Sequence, residues 1–73
     1  MKRKIYLGLA ANLLREIFRS ATEPTREQFP QYLACVGPFR TVRGARFMRD
    51  FGMNNPHCQC VRDAERLGKK YNA

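Results

Sequence analysis

Arginines stand at positions 40, 43, 46 and 49, and on a helix that every-third spacing makes one slowly turning ridge. Guanidinium groups are planar forks that meet the oxygens of a phosphate or a carboxylate two at a time. Four of them along one ridge repel one another, and a row of phosphates or carboxylates relieves that repulsion. Arg62 and Arg66, followed by Lys69 and Lys70, form a second basic group. The chemistry of Arg40, Arg43, Arg46, Arg49, Arg62 and Arg66 is therefore recognition of an acidic partner. DNA or RNA is the first expectation, and an acidic protein surface is the alternative.

His57, Cys58 and Cys60, together with Cys35, are residue types that zinc accepts. Their spacing departs from that of structural zinc sites, and neighbouring residues such as His57 and Cys58 on a strand point to opposite faces. Small buried thiols are the simpler reading, so no metal and no cofactor are expected. The same adjacency argues against a cysteine nucleophile served by the lone histidine, and an enzyme is not expected. Three cysteines are an odd number, which fits free thiols in a reducing compartment better than a disulfide framework.

Composition points the same way as the arginines. The 73 residues carry fourteen Lys and Arg against six Asp and Glu, a formal charge of +8, with 44% hydrophobic content. A domain of this size buries only about 60% of the surface of its unfolded chain, so an enclosed site for a small-molecule substrate is hard to build and an outer contact surface is easier. Met1 to Ala11 imitates the charged and apolar parts of a secretory signal, but Asn12 and then Arg15 and Glu16 interrupt the run. A membrane span needs about 20 apolar residues, so no span is expected and the cytoplasm is the expected location.

These residues must be positioned by a small set of elements. The apolar spacing of residues 3–19 predicts a helix, with Tyr6, Leu7, Leu9, Ala10, Leu13, Leu14, Ile17 and Phe18 covering about 200° of its circumference. So wide an arc calls for packing on more than one side, in the core, against a partner protein or in a homodimer. Leu7, Leu14 and Phe18 are the residues it offers as a protein interface. Lys2, Arg3 and Lys4 would let the same helix lie on an anionic membrane, a third and weaker use. Residues 20–30 read as a connector bracketed by Pro24 and Pro30, and 31–36 as a short strand stopped by Gly37 and Pro38.

Thr41 stands where an N-cap belongs, and a helix is predicted over 41–51 with Gly52 as its C-terminal stop. Gly44, Ala45, Phe47, Met48 and Phe51 share one side of it, and Arg43, Arg46, Arg49 and Asp50 the other. Residues 57–60 then read as a second strand and 61–71 as a last helix, because Cys60-Val61-Arg62-Asp63-Ala64 echoes Thr41-Val42-Arg43-Gly44-Ala45. The fold class expected is α+β, one small domain with an N-terminal helix and a β-α-β-α unit whose helices pack on one face. The alternative is an all-α chain in which a helix begins near Asn55 and Pro56, giving a helix-turn-helix from Thr41 to Tyr71. Gln59, Arg62 and Arg66 would then reach base edges.

The run Val36-Gly37-Pro38-Phe39-Arg40-Thr41 with Arg43-Gly44-Ala45, followed by Asn54-Asn55-Pro56-His57-Cys58 and Asp63-Ala64-Glu65-Arg66, resembles a type of small bacteriophage and prophage protein. The resemblance covers the last forty or so residues and brings no activity or site residue with it. It implies an accessory protein of the host cytoplasm, acting on nucleic acid or as an inhibitor of a host protein. The strand-Gly-Pro-Phe-x-Thr-helix piece is also similar to the opening of SPOR-type peptidoglycan-binding domains, although the second half of such a domain is missing. The function expected is thus a basic, non-enzymatic nucleic-acid binder. Exposed aromatics beside the arginines would favour that reading, and an exposed Leu7, Leu14 and Phe18 patch would favour a protein partner.

Overall fold

Ile5, Leu7 and Leu9 alternate with Tyr6, Gly8 and Ala10, and a strand sends these two sets to opposite faces of a sheet. The computed structural model, which describes residues 2–52 and 55–71, forms such a strand, β1 (Lys4–Ala10). It is followed by β2 (Arg15–Ser20) and β3 (Tyr32–Phe39), both antiparallel to β1, in the order β2-β1-β3. The predicted helix over 3–19 is therefore wrong, and a hairpin stands in its place. An apolar arc too wide for a surface helix is what a strand buried on both faces leaves in a sequence. The loop between β1 and β2 holds Leu13 in the left-handed region at φ 68, and the Leu14 N–H donates to Asn12 Oδ1.

β3 runs three residues beyond the predicted stop. Leu7 pairs with Val36 and Ile5 with Phe39, so one residue of β1 faces two of β3 and the strand bulges at Gly37 and Pro38. Pro38 has no N–H to offer, and an edge strand does not need it. Gly37 at φ 143 could not be replaced easily, since a Cβ there would come within 2.7 Å of the Tyr6 ring.

After the sheet come α1 (Val42–Phe47), which continues as a π-helical turn over Met48–Gly52, and α2 (Val61–Tyr71). The expected strand at 57–60 does not form. Its supposed task, pairing with β3, is performed by β1, and the segment instead turns, with the Cys58 N–H donating to the Asn55 carbonyl and the His57 N–H to Asn55 Oδ1. The all-α alternative fails as well. α2 starts at Val61 rather than near Asn55, and just before it the Gln59 N–H is held by Asp63 Oδ2 of the first turn. The coarse class is α+β, with strands first and helices last. Asn54, part of the phage-type pattern, lies outside the described residues.

The main core fills the space between one sheet face and the helices, with Ile5, Leu7, Phe39, Ala45, Phe47, Met48, Cys58, Ala64 and Leu67 buried together. Only Ala45 and Ala64 of this cluster reach zero exposure, so small residues set the closest approach of α1, α2 and the sheet. The opposite face carries a second, aromatic cluster. Phe18 stacks on Tyr32 at 5.0 Å, and Phe29 comes from the connector to lie 4.8 Å from Phe18. Tyr32 rests on Gly8, where a Cβ would meet its ring at 2.7 Å. The helices cover one face of the three-stranded sheet and the aromatic cluster part of the other, which gives so small a sheet the apolar packing it needs.

Candidate functional site

The arginines are distributed by α1 and its approaches. Thr41 caps the helix, accepting from the Gly44 N–H at 3.0 Å, so Arg40 precedes the helix and is not part of a helical ridge. Arg46 projects fully from α1, with Arg43 and Arg49 half-buried on either side of it. Arg40 instead borders a groove with Pro38, Val61, Arg62 and Glu65, which brings Arg40 and Arg62 together from different elements. The predicted row of four is therefore three residues on the outer side of α1 and one at its entrance.

Arg49 is occupied. Its Nε lies 2.9 Å from Asp50 Oδ1, and a second nitrogen donates to Oδ2 at 3.3 Å. Those hydrogen bonds hold the Asp50 carboxyl below the usual carboxylate range, helped by the positive charges of Arg15 and Arg46, and they raise Arg49 in return. Arg15 enters this group from the sheet. It pairs with Leu9 in the register, on the face that carries the helices, and donates to the Arg49 carbonyl at 2.8 Å. Its buried Nε has no hydrogen-bond partner among the described residues. Three guanidinium groups and one carboxylate leave this corner strongly positive. Sequence periodicity misses Arg15 as a site residue because it places it on the polar side of a helix that does not form.

The acids of the helical layer are committed to structural partners. Glu65 of α2 accepts from the Arg40 N–H at 2.8 Å, the Thr41 N–H at 3.1 Å and the Thr41 hydroxyl at 2.8 Å. Asp63 holds the Gln59 N–H, which keeps its carboxyl below the usual range, and lies 3.7 Å from an Arg66 nitrogen. Asp50 holds Arg49. Among the described residues no acid within ion-pair distance is left for Arg40, Arg43, Arg46, Arg62, Lys69 or Lys70.

No protein-family model, curated protein or solved structure matches the chain.

The remaining expected site residues separate. Leu7 is buried between sheet and helices, Phe18 lies in the aromatic cluster on the opposite face, and Leu14 is exposed in the hairpin loop, so the three do not make one surface. Of the metal alternative, Cys58 is buried with its Sγ 4.0 Å from Met48 Sδ, while Cys60 and Cys35 are exposed. Cys35 pairs with Gly8 and so belongs to the sheet face away from Cys58. Among the described residues no three His, Cys, Asp or Glu side chains gather in a way that could hold a metal ion. Burial pushes the Cys58 thiol up, away from the thiolate form. No helix among the described residues is long and apolar enough to cross a membrane.

Phe47 and Phe51 are aromatics that could stack on bases but whose inner-arc positions predict burial in the core; Phe47 is buried, whereas Phe51 is not and joins Tyr71 in an aromatic group at the ends of the two helices. Phe51 and Tyr71 are 60% and 63% exposed although both stand on apolar arcs. Phe47 lies beneath them, 5.5 Å from the Phe51 ring and 6.3 Å from the Tyr71 ring, the latter nearly parallel at 11°.

Proposed function

We propose that the protein is a non-enzymatic nucleic-acid binder that holds phosphates on its helical layer, through Arg40, Arg43, Arg46, Arg62 and Arg66, with Lys69 and Lys70 and with Arg15 and Arg49 at one corner. The observation that supports it is the commitment of Asp50, Asp63 and Glu65 to internal partners, which among the described residues leaves Arg40, Arg43, Arg46, Arg62, Lys69 and Lys70 with no acid within ion-pair distance. Phosphates supply such counter-charges along a line, and their neutralisation releases condensed ions. The exposed rings of Phe51 and Tyr71 beside this layer favour nucleic acid over a protein partner.

Titration with mixed DNA and RNA oligonucleotides at two salt concentrations tests the reading. Binding at low salt that weakens with added salt is expected. Replacing Arg43 and Arg46 by Gln should lower both the affinity and the salt slope, the slope by about 0.7 to 0.9 for each phosphate that is no longer neutralised. Absence of binding at low salt would overturn it. An accessory module docking on an acidic host protein is the second reading, favoured by Leu13 and Leu14, which stand exposed side by side in the hairpin loop.

A further inference from the structure

The ends of α1 and α2 border an open cleft of about 590 Å³ lined, among the described residues, by Phe47, Phe51, Tyr71 and Asn55. Phe47 is its buried floor, while Phe51 and Tyr71 are walls that face water. A neighbouring hollow of about 310 Å³ shares Phe47, Asn55 and Tyr71 and adds Arg66, Lys70 and His57. The Lys70 ammonium lies 5.4 Å from the centre of the Tyr71 ring. The two adjoining hollows share Phe47, Asn55 and Tyr71 and together offer aromatic faces, a side-chain amide, the Lys70 ammonium and the Arg66 guanidinium, which also lies 3.7 Å from Asp63.

Two large rings left in water beside a third are poorly used for folding; lying at 47° and 11° to the Phe47 ring, they are inclined to each other and suit a planar ligand that stacks on one of them and meets the other at its edge. The amide of Asn55 can donate to and accept from the edge of such a ligand, and Arg66 and Lys70 suit an anion attached to it. A planar heterocycle carrying a phosphate is a nucleotide. In a duplex the base faces are already stacked on one another, whereas in a single strand they are free.

We propose that this cleft takes an unstacked base of single-stranded nucleic acid, with one of Phe51 and Tyr71 under its face, the other at its edge, and Arg66 and Lys70 on the adjoining phosphate. The proposal rests on the nucleic-acid reading above and adds to it a preference for single strands.

Fluorescence anisotropy with labelled oligothymidine and oligouridine, the matching duplex and an abasic strand of equal charge tests it. The native protein should bind the abasic strand about tenfold more weakly than the thymidine strand, because stacking is lost while charge is kept. Phe51→Ala and Tyr71→Ala should each weaken single-strand binding by a similar factor, leave duplex binding and the salt slope unchanged, and keep the native circular dichroism. Tyr71→Phe should restore binding. Tighter binding of either the uridine or the thymidine strand than of the abasic one supports the slot, and the better of the two identifies the source of the strand. Equal affinity for the abasic and base-bearing strands, or equal losses on duplex and single strand, would overturn the base slot while leaving the phosphate surface standing. No binding of any strand at low salt would overturn both.

Discussion

The Glu65 carboxylate accepts both the backbone N–H and the hydroxyl of Thr41, at 3.1 and 2.8 Å, across twenty-four positions of sequence. Thr41 in turn caps α1 through the Gly44 N–H. The start of one helix is therefore fastened by a side chain of the other, and the arginines that follow Thr41 take their positions from that fastening.

Removing either partner should loosen the other. Thr41→Ala should destabilise the protein by about 1 kcal/mol and Glu65→Ala by about 1–3 kcal/mol, the larger figure reflecting a charged acceptor. In urea denaturation the double variant should lose less than the sum, with a coupling of at least about 0.5 kcal/mol. Additive losses would show that the two act independently. Gly44→Ala offers a sign test at the same place, since a Cβ would overlap the Glu65 carboxylate. It should destabilise the native protein, yet with Glu65 already replaced by Ala it should become neutral or stabilising, because Ala is favoured over Gly in a helix by about 1 kcal/mol.

Asp50 and Asp63 should govern the acid limb of stability. Hydrogen bonds from Arg49 lower the Asp50 carboxyl and the Gln59 N–H lowers that of Asp63. A group whose native pKa is depressed binds its proton more readily in the unfolded chain, so its contribution is fully present above the unfolded value near about 4 and is lost as pH falls through the native value. Thermal unfolding followed from pH 7 downward should show stability falling below that point, and Asp50→Asn and Asp63→Asn should each flatten the fall. At neutral pH Asp50→Asn should also strengthen polyanion binding and steepen its salt dependence, since it strips the neighbouring carboxylate from Arg15, Arg46 and Arg49. Weaker binding by that variant would show that the pair positions the contact surface rather than neutralising it.

Gly8→Ala should destabilise by about 1–3 kcal/mol, the usual range for overpacking, because the Tyr32 ring occupies the space a Cβ would take. Pairing it with Tyr32→Leu should recover part of the loss, and chemical denaturation of the four proteins measures this. An unchanged denaturation midpoint for Gly8→Ala alone would mean that the ring is not seated on β1.

α1 and α2 are readable because each separates an apolar stripe from a polar one at helical spacing, and Thr41 carries the side chain a cap needs. The hairpin is hidden for a local reason. Leu13 and Leu14 continue the apolar run through the turn, where a Gly or a Pro would have marked a break, and only Asn12 hints at one. The expected strand at 57–60 answers the need of β3 for a partner, and that partner lies in the segment whose spacing imitates a helix. Glu65 could not be matched with Thr41 from sequence, since their meeting depends on how α1 and α2 pack. Phe51 and Tyr71 lie on the inner arcs of their helices, and periodicity does not reveal that a cleft opens between the helix ends.

β1 lies between its two neighbours, yet it is synthesised before either of them. Until β2 and β3 emerge, both of its edges offer free hydrogen-bonding groups and both of its faces are apolar, the combination that drives strands of separate chains to pair. Lys2, Arg3 and Lys4 stand exposed at its entrance. Three adjacent cations beside an apolar strand are the arrangement by which gatekeeper residues oppose such pairing, whatever the finished protein binds.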